Sequence, residues 1–465
     1  MMPPALRALA ATGLFAAAAP ALASTTVLHC GDLFDAARAR LAGPSSVLIE
    51  GDRVKEVRPG RVELPGATTI DLSGHTCSPG WIDLHVHVGS ESNPDSYSEG
   101  FRLDDVDLAL RATRYVRRTL EAGFTTVRDL GGTLAPHLRD AINAGILPGP
   151  RIYAAGKSIA TTGGHADPTN GLNRRFATLV GPPGPTEGVI NGVDQARQAV
   201  RQRYKEGSDT IKITATGGVL SYARSADAPQ FTLEEIRAIV ETARDYGYTV
   251  AAHAHGDEGM RRAILGGVTS IEHGTFMSEA TMRLMKEHGT WYVPTISAGR
   301  FVGEKAEVEG YFPAIVRPKA RAVSVQIMDT FARAYRMGVP IAFGTDAGVG
   351  PHGENAREFE YMVEAGMPPA EALQTATVNA AKVLGAGDLG QLAPGLPRRR
   401  GGRAGQSTGR HLRHPPGGFR HEGRGGGEGS RARRGLVKPP RRLHLAPVPI
   451  PRGHRPAAPS CRSSA

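Results

Sequence analysis

Cysteine is scarce in this sequence. There are three in 465 residues, Cys30, Cys77 and Cys461, too few for a disulfide scaffold. Cys30 and Cys77 would meet only in an oxidising compartment, and two unpaired thiols are the expectation. A membrane-spanning run is also missing. The apolar stretch Ala8–Ala19 falls short of the roughly 20 residues a span requires, and polar Ser24-Thr25-Thr26 follows it. No Gly-x-Gly-x-x-Gly follows the first strong strand pattern, which argues against a dinucleotide-binding fold. Acidic residues are nearly absent from one segment only. From Leu396 onward, 16 Arg and one Lys face two Glu, a balance of +15. The whole chain carries +11, so residues 1–395 hold 39 basic and 43 acidic groups and are mildly acidic at −4. A uniform nucleic-acid-binding field is thereby excluded.

What is present is a globular body. At 40% hydrophobic and 22% charged residues, the chain can bury a large core in one large domain plus a smaller one. Residues 1–23 read as a secretory leader, with Arg7 before the Ala8–Ala19 run and a small-x-small site at Ala21-Leu22-Ala23. That points to a secreted or periplasmic location. Residues 24–79 alternate short apolar stretches with Gly, Pro and Asp. They include a hairpin pattern, Val47 to Val54 around Gly51-Asp52, and form the first part of a small β-module.

From Gly80 the rhythm becomes strand and helix in alternation. The predicted strands are Trp81–His85, Phe124–Asp129, Arg151–Gly156, Thr210–Ile213, Thr249–His253, Ser270–His273, Trp291–Pro294 and Ile341–Asp346. Helical patterns run over Asp105–Ala122 and Leu233–Tyr246, the latter opening on a capping box of Thr232 and Glu235. Eight apolar strands separated by helices predict an α/β fold, a (β/α)8 TIM barrel over residues 80–385, with the β-module left as an incomplete sandwich.

In such a barrel, polar residues at the C-terminal ends of strands face the active site. Those ends carry His85 and His87, Lys212, His253, His273 and Asp346, each closing an apolar run where an unpartnered ionisable group would be costly. His85 and His87 share one side of an extended strand and can grip one cation. Lys212 lies between Ile211 and Ile213, which points it inward and lowers its pKa. A neutral amine there can add CO₂, giving a carbamate whose two oxygens bridge two metal ions. His253 and His255 share a face. Asp346 can bind metal and take a proton from water. Nitrogen and oxygen donors without thiolate suit zinc best, and two divalent ions would serve hydrolysis of an amide-type bond. His137, His288 and His352 show no partner pattern.

Five motifs carry a family resemblance: Pro79 to His87, Ile211-Lys212-Ile213, Ala252-His253-Ala254-His255-Gly256, Ile271-Glu272-His273-Gly274 and Gly344-Thr345-Asp346-Ala347. Together they resemble the metal-dependent amidohydrolase superfamily. Thr161-Thr162-Gly163-Gly164-His165 and Gly217-Gly218-Val219 resemble its imidazolonepropionase-related branch, which includes prolidase-like dipeptidases and an ochratoxin-degrading amidase. The resemblance implies that His85, His87 and Asp346 bind one metal, that His253 and His273 bind a second, and that carbamylated Lys212 bridges them. It also implies that Asp346 is the general base. His165 and Tyr222 are candidates to polarise the carbonyl or hold the substrate carboxylate, His255 to line the pocket, and Arg224 to pair with a carboxylate. A dipeptide substrate, Xaa-Pro or Xaa-basic, is expected, with a cyclic or aryl amide as the alternative. Homo-oligomerisation is left open. Neither nucleic acid nor stable membrane insertion after leader removal is expected.

The turn Gly390-Gln391-Leu392-Ala393-Pro394-Gly395 matches the point where the resemblance implies a return to the β-module. From 396 the chain instead becomes Arg, Gly and Pro in 39 of 70 residues, a composition read as disordered. A reading-frame shift near codon 396 accounts for it better than an evolved RNA-binding tail, because the only aromatic there is Phe419. A non-catalytic binding protein on the same scaffold is disfavoured by intact ligand types at all six positions.

Overall fold

A computed structural model of the chain describes residues 25–50 and 53–393. The leader read at 1–23, the Gly51-Asp52 turn, Cys461 and the Arg/Gly/Pro-rich segment from 396 lie outside those residues.

Five strands build the amino-terminal module: β1 (Thr25–Asp35), β2 (Arg40–Leu41), β3 (Ser45–Glu50), β4 (Arg53–Pro59) and β5 (Thr68–Cys77). They form one sheet in the order β2-β1-β3-β4, with β5 parallel to β1; no second layer of a sandwich is present among the described residues. The expected hairpin is β3 against β4, antiparallel, with Glu50 opposite Arg53. Leu28, Cys30, Leu33, Val47, Ile49 and Cys77 make its apolar face, and Leu392 packs on it after the chain has passed through the barrel. Cys30 and Cys77 are not free thiols as expected. They form a disulfide with Cα atoms 5.7 Å apart, across 47 residues of sequence. The parallel pairing of β1 with β5, invisible in the spacing of the two cysteines, is what brings them together.

The barrel strands follow: β6 (Trp81–Val86), β7 (Phe124–Asp129), β8 (Arg151–Ala154), then a two-residue parallel pair, β9 (Ala160–Thr161) and β10 (Val189–Ile190), then β11 (Ile211–Thr214), β12 (Val250–Ala254), β13 (Ser270–His273) and β14 (Trp291–Val293). β6-β7-β8 and β11-β12-β13-β14 are parallel ladders, and a bridge from Ile159 to Ile213 links their neighbouring ends. The eighth expected strand, Ile341–Asp346, is reduced to isolated bridges, Ile341 to Tyr292 and Ala347 to Val86. Its donors are diverted: Phe343 N–H bonds to Thr375 O and Thr345 N–H to the Asp83 carboxylate. Order and parallel register are those of a (β/α)8 barrel.

The helices Asp105–Glu121 and Leu233–Asp245 stop one residue before the predicted ends. The Thr232–Glu235 capping box is formed, with Glu235 N–H on Thr232 Oγ1 and Thr232 N–H on the Glu235 carboxylate. Ile211, Ile213, Val250 and Ile271 pack against Ile236, Ile239 and Met260 in the main core between strands and helices. Beneath the barrel, Ala380, Ala381 and Val383 pack on Ile82, Leu84, Val293 and Ala342. No helix among the described residues is long and apolar enough to cross a membrane.

The disulfide ties the start of the module to the segment that leads into β6. Replacing both Cys30 and Cys77 with Ser should lower stability by about 2–4 kcal/mol. Thermal melts of the two proteins under non-reducing conditions check this, and coincident midpoints would contradict it.

Candidate active site

In the parallel register Lys212 lies opposite Ala251, and Ala251 opposite Ser270. One layer further on, Thr214 faces His253, and His253 faces Glu272. Side chains in register share a face, so Lys212, His253, Ser270 and Glu272 all point to the barrel interior. On β13 the inward place thus belongs to Glu272, and simple alternation would send His273 outward. Its backbone does not alternate: His273 has φ +70°. The imidazole turns back inside, 4.9 Å from the His85 ring and 4.7 Å from that of His253. Asp346 (φ +59°) and Thr295 (φ +53°) use the same left-handed conformation. Such positions cost about 1–3 kcal/mol each in non-glycine residues and persist only where the surroundings hold them.

His85, His87, His165, Lys212, His253, His255, His273 and Asp346 line one cavity of about 240 Å³. The same cavity is also lined by the apolar Val219, Leu220, Val302, Val323, Ile327 and Val349. Two expected residues stand outside this lining. Tyr222 is 42% exposed at the rim, edge-on to Tyr97, and Arg224 is exposed. A strand-end pattern cannot place either, because both sit in a loop whose path depends on distant contacts. Of the three histidines without a partner pattern, His137 and His288 are exposed, whereas His352 is buried, stacked on Tyr115 and bonded to Ser90 O, a packing role.

One donor atom each from His85, His273 and Asp346 lies within 4.8 Å of the others, close enough to share one ion. Asp346 Oδ1 is buried without a hydrogen-bond partner, although His87 Nε2 is 3.3 Å and His85 Nε2 3.6 Å away. Neither contact has hydrogen-bond geometry, the second already by its length. A buried carboxylate oxygen facing two imidazole nitrogens in this way fits a cation between them. The outer nitrogens are already committed. His85 Nδ1 bonds to Glu272 Oε2 at 2.9 Å, His253 Nε2–H donates to Gly217 O at 2.9 Å, and His273 Nδ1 meets Thr295 Oγ1 at 2.7 Å. Each ring is left with its other nitrogen for a ligand, and the partners fix its orientation.

Burial sets the protonation states. It lowers His85 and His255 to about 4 and His165 to about 3, and holds His253 and His273 well below the usual imidazole value. Neutral rings result at these five, as ligation requires, whereas at His87 burial is outweighed by the Asp346 carboxylate, which raises the pKa. Lys212 Nζ lies 3.4 Å from His85 Nε2, and burial brings it down to about 8. Burial opposes the charge of Asp346, but His85, His87 and Lys212 outweigh it and its pKa falls below the ordinary value.

Three residues the sequence patterns passed over support this set. Glu272 is fully buried, bonded by Arg128 Nη2 at 2.8 Å and by Ser270 Oγ at 2.5 Å. Arg128, also fully buried, donates its Nε to Leu84 O at 2.7 Å. Burial works against Glu272's charge, yet Arg128, His85 and Lys212 bring it down to about 2. The available signal was a charged residue inside each of two apolar strands.

Breaking the Arg128–Glu272 pair from one side should destabilise the protein by about 3–5 kcal/mol, because the remaining charge is buried alone. Arg128→Met in a urea titration tests this. Arg128→Met with Glu272→Met should recover part of the loss, and a single variant as stable as the wild type would contradict the pairing.

The amidohydrolase family model matches residues 76–397. A crystal structure of a Xaa-Pro dipeptidase with methionine bound in its active site shares 52% identity at a TM-score of 0.77, covering 80% of this chain and 92% of that one. A prolidase complexed with N-methylphosphonate-L-proline is 33% identical at a TM-score of 0.72, covering 80% of this chain and 90% of its own. Ochratoxinase from Aspergillus niger is 33% identical over 316 residues, 65% of this chain and 64% of its own length. The chain thus spans under two thirds of that relative.

Proposed function

The chain belongs to the amidohydrolase family, and on that premise we propose that it is an exported metal-dependent dipeptidase acting on Xaa-Pro and similar dipeptides with apolar side chains. The observation that carries this is the cavity itself, lined by ligand-type side chains together with aliphatic ones. Its described lining holds a single carboxylate, Asp346, so a basic substrate side chain would find no separate counter-ion. That favours Xaa-Pro over Xaa-basic. Similarity to the Xaa-Pro dipeptidase and the prolidase supports the same reading. Export is supported by the leader-like residues 1–23 and by the Cys30–Cys77 disulfide, a bond typical of oxidising compartments.

In this reading His85, His87 and Asp346 would hold one divalent ion, and His253 and His273 would hold a second. Lys212, as a carbamate, would supply further oxygen donors to them, and zinc is the best match to the donors. When bound, such ions polarise the amide carbonyl and make water acidic near neutral pH. The chain's own groups supply the rest. The buried Asp346 carboxylate takes the proton of the attacking water and delivers it to the leaving amine. His165 lines the cavity as a neutral ring with an unpartnered Nδ1, which it offers to the substrate carbonyl or carboxylate. His255, held by Thr275 Oγ1 at 2.9 Å, faces the same end. Val219, Leu220, Val323 and Ile327 exclude water from the side-chain end of the substrate.

A panel of dipeptides tests the proposal, using the full chain stripped by chelator and then reloaded with zinc and bicarbonate. Apolar Xaa-Pro should be cleaved only after reloading. Xaa-Lys and Xaa-Arg should be slower by about 100-fold, the cost of burying an unmatched charge. Asp346→Asn should lose about 100-fold or more in kcat. Basic dipeptides cleaved as well as Xaa-Pro, or full activity in Asp346→Asn, would overturn the assignment.

A further inference from the structure

Lys319 is a cation with no carboxylate partner among the described ion pairs. It stands on the helix Arg317–Arg336 and is half-buried. Its Nζ donates to three main-chain carbonyls of the loop that follows β11: Gly218 O at 3.0 Å, Ser221 O at 2.7 Å and Ala223 O at 2.8 Å. An ammonium has three N–H donors, and here all three are used on one short stretch of backbone. Such bonds are charge-assisted and stronger than neutral ones. The loop has no helix or strand of its own across residues 217–228, so this clamp is a principal constraint on its path.

That loop is in contact with the site at successive residues. Gly217 O accepts from His253 Nε2. Gly218 lies so close to His165 that a Cβ built there would be 2.2 Å from the ring. Val219 and Leu220 form part of the cavity's apolar wall, and Leu220 O accepts a second support, from Tyr97 Oη at 2.8 Å. On the helix, Val323 and Ile327 stand one and two turns beyond Lys319, on the same face, and line the cavity as well. The helix therefore contributes both lining side chains and the pin that holds the loop carrying Val219 and Leu220.

We propose that Lys319 is a positioning residue that determines how the cavity fits the substrate side chain, by holding the Gly218, Ser221 and Ala223 carbonyls so that Val219 and Leu220 keep their places. It touches neither substrate nor the reacting atoms. Its kinetic consequence rests on the dipeptidase reading; the clamp itself does not. Substrate binding depends on the apolar wall, whereas the proton transfers belong to Asp346, so losing the clamp should act on KM more than on kcat.

The test uses the full chain loaded with zinc, as wild type, Lys319→Met and Lys319→Arg. In Lys319→Met, backbone amides of residues 217–226 should exchange hydrogen at least about tenfold faster, with β11 and β13 unchanged. KM for an apolar Xaa-Pro dipeptide should rise about tenfold, with kcat within about threefold and bound zinc unchanged. Lys319→Arg, which keeps a cation and N–H donors, should recover part of both effects. Unchanged exchange in Lys319→Met, or a fall in kcat at constant KM, would overturn the proposal. Should the wild type cleave no dipeptide, the functional reading fails, and hydrogen exchange alone decides the clamp.

Discussion

Glu272 keeps its negative charge with no exposed surface, in the middle of a barrel built from apolar strands. It can do so because Arg128 reaches it from β7 and Ser270 donates from its own strand, while the second carboxylate oxygen takes His85 Nδ1. Desolvating both ions is expensive, and the gain is specific: the hydrogen bonds each group makes hold it in one place. The His85 ring is thereby held in one tautomer with its other nitrogen turned toward the site. The neighbouring groups depend on that placement. His85 Nε2 faces Asp346 and Lys212, so its orientation sets where a cation can lie.

The rest of the site is fitted around this pair by departures from regular strand geometry. With Glu272 occupying the inward position of β13, His273 reaches the cavity only through its left-handed backbone. Asp346 does the same at the end of the reduced eighth strand, where Asp83 takes Thr345 N–H and Thr345 Oγ1–H in place of a ladder partner. The cost of strained dihedrals and diverted hydrogen bonds is carried where ligand-type groups converge. The small β-module stays outside this geometry, but its disulfide and the packing of Leu392 tie it to both ends of the barrel sequence.

Much of the site was legible because it obeys local rules. His85-Val86-His87 is a two-residue alternation, Lys212 sits between two isoleucines, and the strand ends follow from apolar runs bounded by turns. The rest depends on partners far apart in sequence. Arg128 and Glu272 are separated by 144 residues, and His85 and Glu272 by 187. No periodicity links residues on different strands at such distances. The Cys30–Cys77 pairing was missed for the same reason. Tyr222 and Arg224 carry only a loop position in the sequence, and that loop is held in part by Lys319, about a hundred residues later. Its third bond, to Gly218, spans 101 residues.

The account comes down to whether these side chains jointly bind metal in the way their geometry favours. Anomalous diffraction at the zinc edge, from crystals of the full chain grown with zinc and bicarbonate, tests it most directly. The account predicts two peaks about 3.5–4 Å apart. One should lie among His85, His87 and Asp346 and the other at His253 and His273, with extra density on Lys212 Nζ between them. Zinc bound elsewhere, or an empty cavity under conditions where the protein hydrolyses dipeptides, would contradict it.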